Sequence, residues 1–315
     1  MRALIFHGPG DLRLEEVPDP EPGPGDVLVQ VEVALTDGTD AKAFRRGHPV
    51  LLGEPPSPFG HEFCGIDVES GRRVVAANSA PCGECGACTR GQEELCENLL
   101  PLLNGAYAEL LAVPERIVRR NVLPVPDSLA PPVAALLEPL ACCLHGLARA
   151  RVREGDSVAV LGAGPIGLML CACAADAGAR PVVVGGRPER RELAAEFGAR
   201  AGSGEGADVV IEAAGTAAAW RDAVALVRRG GTVVLFGGLP RGEDVPLDAY
   251  RLHYDEVALV GAFHHTPRTV RAALAFLASG AYPWEKLVTH EVGLEGVAAL
   301  LADPPRDLLK AAVRP

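Results

Sequence analysis

Four cysteines in one short stretch are the residues of this chain best placed to do chemistry. Cys82, Cys85, Cys88 and Cys96 follow a C-x2-C-x2-C-x7-C spacing, with Gly83 and Gly86 among the first three. Two-residue gaps let successive thiolates converge on one tetrahedral ion, and glycine lets the backbone turn sharply between them. Four sulfurs close the coordination shell, so the spacing predicts a structural zinc that folds a lobe, not one that meets substrate. Other uses of four cysteines fit less well. Disulfide frameworks belong to small, secreted, cysteine-dense chains, whereas this one has 315 residues and nine cysteines. A four-iron cluster usually has a shorter last gap and ends in proline. A nucleic-acid-binding zinc ribbon would want basic neighbours.

A second group is Gly162-Ala163-Gly164-Pro165-Ile166-Gly167, which follows the apolar run Ser157–Leu161 and opens an Ala-rich helical stretch. Strand, glycine turn and helix in that order predict a dinucleotide site. Gly162 makes the turn, Gly164 lets a pyrophosphate approach the backbone, and Gly167 lets helix pack on strand. The N–H groups of Pro165-Ile166-Gly167 and the residues after them would open the helix toward the anion, proline excepted. The end of the next apolar run selects the cofactor. An NAD site wants a carboxylate there for the ribose 2′-hydroxyl; this chain has Gly185-Gly186-Arg187-Pro188. Nothing there repels a 2′-phosphate, and Arg187 can grip it, so NADP is expected over NAD. Arg190 and Arg191 read as a solvated helix face.

The elements that must position these groups can be read coarsely. Residues 1–140 are rich in proline, glycine and short β-type runs such as Asp26–Val33 and Arg73–Ala76, with the cysteine lobe as an insertion. From 141 to 263, apolar runs (Ser157–Leu161, Pro181–Val184, Asp208–Ile211, Thr232–Phe236, Val257–Val260) alternate with helical stretches. That is the pattern of a parallel sheet covered on both faces, with a reduced strand between Ala199 and Ala207. Residues 264–315 return to mixed texture and are expected to rejoin the first domain. The expected fold class is therefore α/β, a Rossmann-type doubly wound sheet plus a mostly β domain. Hydrophobic residues at 48% allow sizeable cores; aromatics at 4% mean cores of Ala, Val and Leu. The net charge of -11 argues against a nucleic-acid or anionic-membrane partner. The uncharged run Val158–Ala175 is long enough to mimic a membrane span, but its glycines and proline predict strand, turn and buried helix. No signal-peptide pattern is visible, and a cytoplasmic homodimer or homotetramer is expected.

Together these motifs resemble the zinc-dependent medium-chain alcohol and polyol dehydrogenases, and the resemblance covers nearly the whole chain. It implies a GroES-like catalytic domain and a catalytic zinc. The family's Cys-Gly-x-Asp-x-His motif corresponds to Asp37-Gly38-Thr39-Asp40-Ala41-Lys42, and its Gly-His-Glu to Gly60-His61-Glu62. Glu138-Pro139-Leu140 matches a segment of sorbitol, threonine and glucose dehydrogenases whose glutamate ligates zinc or holds its water. Gly185–Pro188 resembles the Gly-Ser-Arg-Pro of NADP-dependent secondary alcohol dehydrogenases. Two positions depart: Asp37 replaces the ligand cysteine and Lys42 the relay histidine. Asp37, His61 and Glu62 still give one nitrogen and two hard oxygens, an open zinc site that lacks the soft thiolate. Asp40 is expected to accept from the His61 ring. Thr39 takes the place of the hydroxyl relay, and proton exit would run through water or Glu138. Asp37 is otherwise a turn residue before Gly38, and His61-Glu62 a buried polar pair.

The expected function is hydride transfer between an alcohol, polyol or aldose and NADP. The alternatives are a non-catalytic NADPH-binding protein that has lost its catalytic zinc, or a zinc-free reductase of the same superfamily. His264-His265 would be a substrate contact or a domain joint. Cys64, Cys142, Cys143, Cys171 and Cys173 are expected to pack as small apolar residues.

Overall fold

The computed structural model describes residues 1–315, the side chain of Pro49 excepted. Strands β1 (Arg2–Gly8) and β2 (Asp11–Glu16) pair antiparallel. In β3 (Val27–Leu35), Val29, Val31 and Val33 are buried while Gln30 is exposed, so one face meets the core. The short β4 (Ser57–Pro58) adds to the free edge of β1. β5 (Glu62–Asp67) pairs with β3, and β6 (Arg73–Ala76) with β5. Beyond the cysteine lobe, β7 (Leu110–Val113) returns to β3 and β8 (Val122–Pro124) to β6.

The second unit, Cys142–His265, is built on parallel strands. These are β9 (Ser157–Leu161), β10 (Arg180–Val184), β11 (Arg200–Ala201), β12 (Ala207–Glu212), β13 (Val227–Leu235) and β14 (Ala258–Gly261). Their order, β11-β10-β9-β12-β13-β14, is that of the doubly wound dinucleotide fold. Continuous burial of Val158–Val160, Val210–Ile211 and Val233–Val234 shows central strands covered on both faces. The uncharged run Val158–Ala175 becomes β9, the glycine turn and the helix Pro165–Asp176, which is buried from Gly167 to Ala174. β11 is only two residues long. β13 starts five residues before its apolar run, at Val227, and the register against β12 shifts there.

The chain then returns with β15 (Val288–Gly293) and β16 (Lys310–Arg314), which complete the sheet β15-β16-β3-β5-β6-β8. Thr266–Pro315 thus clusters with Met1–Ala141 as one compact unit. Its core joins Leu294, Val297 and Val313 from the tail to Phe6, Phe59 and Phe63. Phe6, Phe59 and Tyr107 stack in sequence with centroids 5.9 Å apart. The architecture comprises a mostly β domain and a Rossmann-type domain. Pro131–Ala150 is long and apolar enough to cross a bilayer by composition, but 78% of it is buried inside the protein, as in a core helix.

Candidate active site and metal centres

In the lobe, the four sulfurs converge: all lie within 4.8 Å of one another. The Cys82–Cys88 and Cys85–Cys96 separations are 4.0 Å and 3.9 Å. Sulfurs held at about 2.3 Å by a tetrahedral ion lie about 3.8 Å apart, so the cage fits zinc. Backbone amides already point at the sulfurs. Cys82 N–H donates to Cys96 Sγ at 3.2 Å, Cys85 N–H to Cys82 Sγ at 3.3 Å and Glu97 N–H to Cys85 Sγ at 3.4 Å. Such donors favour thiolates: the amides of Glu84 and Cys85 bring the Cys82 thiol down to about 6. Arg120, which no motif marks, donates to Cys82 O at 3.1 Å and ties the lobe to the helix Glu115–Asn121.

The second cluster forms where β3 ends and β5 begins. Leu35 pairs with Glu62 across the sheet, which brings Asp37 beside His61. Asp37 N-caps the helix Gly38–Arg46 in a capping box: Asp40 N–H donates to Asp37 Oδ1 at 2.7 Å, and Asp37 N–H to Asp40 Oδ2 at 3.1 Å. Its other oxygen, Oδ2, faces His61 Nε2 at 3.8 Å. Gly60 has a φ of +90° and a Cβ there would meet the Tyr107 ring at 2.5 Å, so only glycine lets His61 enter the strand here. The Tyr107 hydroxyl reaches Asp40 Oδ2 and Leu35 O. Asp40 Oδ1 faces His61 Nδ1 at 3.4 Å, an ion-pair distance and long for a hydrogen bond.

One donor atom each from Asp37, His61 and Glu62 lies within 4.8 Å of the others. Glu62 is not idle, however. Both its oxygens accept from Lys310 Nζ, at 2.7 and 2.6 Å, and each of the two residues is only 1% exposed. Lys310 also donates to Thr36 O at 3.3 Å. Glu138, in the first turn of Leu137–Ala150, is buried and its charge reaches His61. Thr39 hydrogen-bonds the Asp37 carboxylate.

The electrostatics of this pocket suit a cation. Burial works against the His61 imidazolium, but Asp37, Asp40 and Glu138 overcome it and raise its pKa to about 10. Burial likewise opposes the Lys310 ammonium, and Glu62 and Asp37 more than offset that. Asp37 is lowered: burial opposes its charge, and His61 and Lys310 prevail. Burial and Asp37 raise Asp40. Burial raises Glu62 to about 8 against the pull of Lys310. Four acidic groups, Asp37, Asp40, Glu62 and Glu138, thus surround two basic ones, His61 and Lys310, and a cation at the Asp37–His61–Glu62 cluster would take the place of the imidazolium proton.

The buried pair yields a prediction. Lys310→Met leaves Glu62 buried without its ammonium, so it should lower stability by about 3–5 kcal/mol. Lys310→Arg should recover much of that. Chemical denaturation of the three proteins measures it, and a methionine variant as stable as the parent would show that the pair adds nothing.

In the second unit, the glycine turn has the geometry its spacing predicts. Gly162 has a φ of +114°. A Cβ at Gly167 would lie 1.9 Å from Gly162 O, so helix and turn touch backbone to backbone. A Cβ at Gly164 meets nothing within 4 Å: this face is open to a ligand. Gly186 has a φ of +81° and passes Ala163 so closely that a Cβ would come to 2.5 Å. Arg187 follows, exposed, at the head of Pro188–Leu193. Burial and the charge of the neighbouring Arg187 lower the Arg190 pKa, and Arg190 is half-buried while Arg191 is exposed.

Residues 23–127 match the family described as Alcohol dehydrogenase GroES-like domain, and residues 200–279 match Zinc-binding dehydrogenase. The chain is similar to a sorbitol dehydrogenase of Bacillus subtilis (strain 168), 30% identical over 94% of this chain and 91% of that protein. An L-galactonate-5-dehydrogenase of Escherichia coli (strain K12) is 32% identical over 92% and 91%. Among solved structures, a protein described as a zinc-binding dehydrogenase from Sinorhizobium meliloti 1021, bound to NADP, superposes with a TM-score of 0.90 at 32% identity, covering 100% of this chain and 99% of that one. An alcohol dehydrogenase from Thermus sp. ATN1 gives 0.86 at 31% identity, with 100% and 99% covered. The paired domain matches and these full-length likenesses place the chain in the zinc-dependent medium-chain alcohol/polyol dehydrogenase family, as an NAD(P)-dependent dehydrogenase.

Proposed function

We propose that this protein is a zinc-dependent dehydrogenase of polyols or aldoses that prefers NADP. Unit 1 would be the catalytic domain and unit 2 the dinucleotide-binding domain. A structural zinc would sit on Cys82, Cys85, Cys88 and Cys96. A catalytic zinc would sit on Asp37 and His61, with Glu62 and Glu138 as the further carboxylates. The observation that carries this reading is the convergence of Asp37, His61 and Glu62 in a buried, acid-rich pocket. The sorbitol and L-galactonate dehydrogenases among the relatives support the substrate class, and the NADP-bound neighbour supports the cofactor.

Zinc bound there would act as a Lewis acid on the substrate oxygen. The chain's own residues do the rest. His61 offers Nε2, and Asp40 faces its other ring nitrogen and fixes its orientation. Asp37 offers Oδ2 while Oδ1 stays on the helix cap. Lys310 binds both Glu62 oxygens and draws the carboxyl toward β16, while burial holds the Glu62 pKa up at about 8. Thr39, beside Asp37, is placed to take the substrate hydroxyl proton. Lys42 stands where the family has its relay histidine, so the proton leaves through water or Glu138. Gly162, Gly164, Pro165, Ile166 and Gly167 cradle the pyrophosphate. Gly186 and Arg187, with Arg190, receive the 2′-phosphate. The hydride chemistry is the cofactor's; the protein aligns it.

Zinc analysis and a panel of alcohols, polyols and aldoses with NADP and NAD test this. About two zinc ions per chain and faster turnover with NADP are expected. Chelation should strip the less tightly held ion along with activity, and added zinc should restore both. Full activity in protein carrying only the lobe zinc would overturn the reading. Arg187→Ala should weaken NADP binding by about 1–3 kcal/mol, the scale of a charge-assisted hydrogen bond, and leave NAD nearly unchanged. Equal losses for both would give Arg187 to the fold.

The nine cysteines form no disulfide among the described residues, which suits a reducing compartment such as the cytoplasm. Edge strand β14 carries exposed Leu259, with exposed Tyr250, Tyr254 and Phe263 nearby in sequence, a surface that a homodimer or homotetramer would cover.

A further inference from the structure

Glu212 ends β12, is fully buried, and has no part in the chemistry above. Its Oε1 accepts from two consecutive backbone amides, Ala214 at 2.8 Å and Gly215 at 2.7 Å. Its own carbonyl accepts from Phe236 at 3.1 Å and Gly237 at 3.0 Å, just past β13. Ala213 N–H donates to Leu161 O at 3.0 Å, at the end of β9. The packing leaves no room for a side chain at Gly237 and brings Gly162 into van der Waals contact with the turn. A Cβ at Gly162 would lie 3.4 Å from Ala213 C and Ala214 N, and one at Gly237 would lie 2.4 Å from Gly215 N and 2.7 Å from Glu212 Oε2. Trp220 Nε1 closes the far side by donating to Gly237 O at 3.0 Å. Backbone hydrogen bonds thus tie the segments leaving the C-terminal ends of β9, β12 and β13 together, and the Glu212 carboxylate holds the Ala213–Gly215 turn in the shape that makes them.

That edge of the sheet is where a dinucleotide lies in this fold. The β10 end, with Arg187, takes the adenosine half; the β12 and β13 ends face the other half. Consecutive amide N–H groups form a concavity that attracts anions. Here Glu212 fills it from within, so the Ala213–Gly215 turn offers no rival seat for the pyrophosphate, which is left to the Gly162–Gly167 turn. A neutral acceptor would also close the turn and would be cheaper to bury; the carboxylate makes the stronger bonds.

We propose that Glu212 is a positioning residue for the nicotinamide half of the cofactor, fixing the Ala213–Gly215 turn against Gly162 so that the nicotinamide mononucleotide meets a rigid wall. The inference rests on the reading of unit 2 as the dinucleotide-binding domain. Glu212→Gln keeps the shape and one acceptor but removes the charge. Titration of NADPH and of 2′,5′-ADP, which carries only the adenosine half, separates positioning from folding. In the variant, the NADPH dissociation constant should rise about tenfold while that of 2′,5′-ADP stays within about twofold. The emission of bound NADPH should move toward that of free NADPH. Glu212→Ala should widen the gap; if it does not fold, the glutamine variant still decides. Equal weakening of both nucleotides, or unchanged NADPH binding in the variants, overturns the inference. A parent protein that binds neither nucleotide overturns the reading of unit 2 and the inference with it.

Discussion

Exchanging His61 for alanine should leave a folded protein with its lobe zinc, one zinc fewer per chain, and almost no dehydrogenase activity. His61 brings the only nitrogen to the Asp37–His61–Glu62 cluster. Without it the pocket keeps hard oxygens that zinc binds less well, one of them on Asp37, which already caps a helix, and two on Glu62, already held by Lys310. Lewis-acid stabilisation of several kcal/mol, at about 1.36 kcal/mol per decade, corresponds to a loss of roughly three orders of magnitude in kcat/KM. Steady-state kinetics and zinc analysis on the same preparation check it. Persistent activity in His61→Ala would sink the metal mechanism and favour a zinc-free reductase.

The second large effect falls on the lobe and on stability. Cys85→Ser opens a shell whose sulfurs already sit at tetrahedral separations, and it replaces the thiolate that the Glu97 amide faces with a shorter, neutral hydroxyl. Structural zinc in small folded units is worth about 10–16 kcal/mol of apparent binding energy, all of it folding energy for the segment it closes. The variant should lose about one zinc and melt lower, and the segment between β6 and β7 should become protease-sensitive. A variant with full zinc content and an unchanged Tm would mean that the four cysteines do not hold a metal.

The lobe was legible because its information is local: four like residues at fixed gaps and two glycines. The glycine turn was legible for the same reason: Gly162 takes a positive φ, Gly167 abuts the Gly162 carbonyl, and Gly164 leaves its face open. Apolar runs located the central strands of unit 2. They missed the start of β13, because Arg228–Gly231 extends the strand in polar residues that no hydrophobic count selects. What the sequence hid is non-local. Lys310 lies in an apolar run, Leu308 to Val313, where one lysine reads as an edge residue; only the β16–β3–β5 pairing carries it to Glu62. Asp37 could be read as a turn residue or as a ligand, and the capping box shows it acting as a cap with one oxygen still facing His61. Tyr107, beneath Gly60, and the turn held by Glu212 depend on close backbone approach that no spacing rule encodes.

The Glu62–Lys310 pair also has a history in time. The two residues are 248 positions apart, and unit 2 lies whole between them. At about 5–20 residues per second, a ribosome makes Glu62 roughly 10–50 s before its ammonium exists. During that interval the strands of unit 1 cannot bury an ionised Glu62 without the penalty of an unpaired charge. Unit 2 is contiguous and carries its own core, so it can fold first. Burial of Glu62 as an ion pair must therefore wait for β16, which brings the lysine.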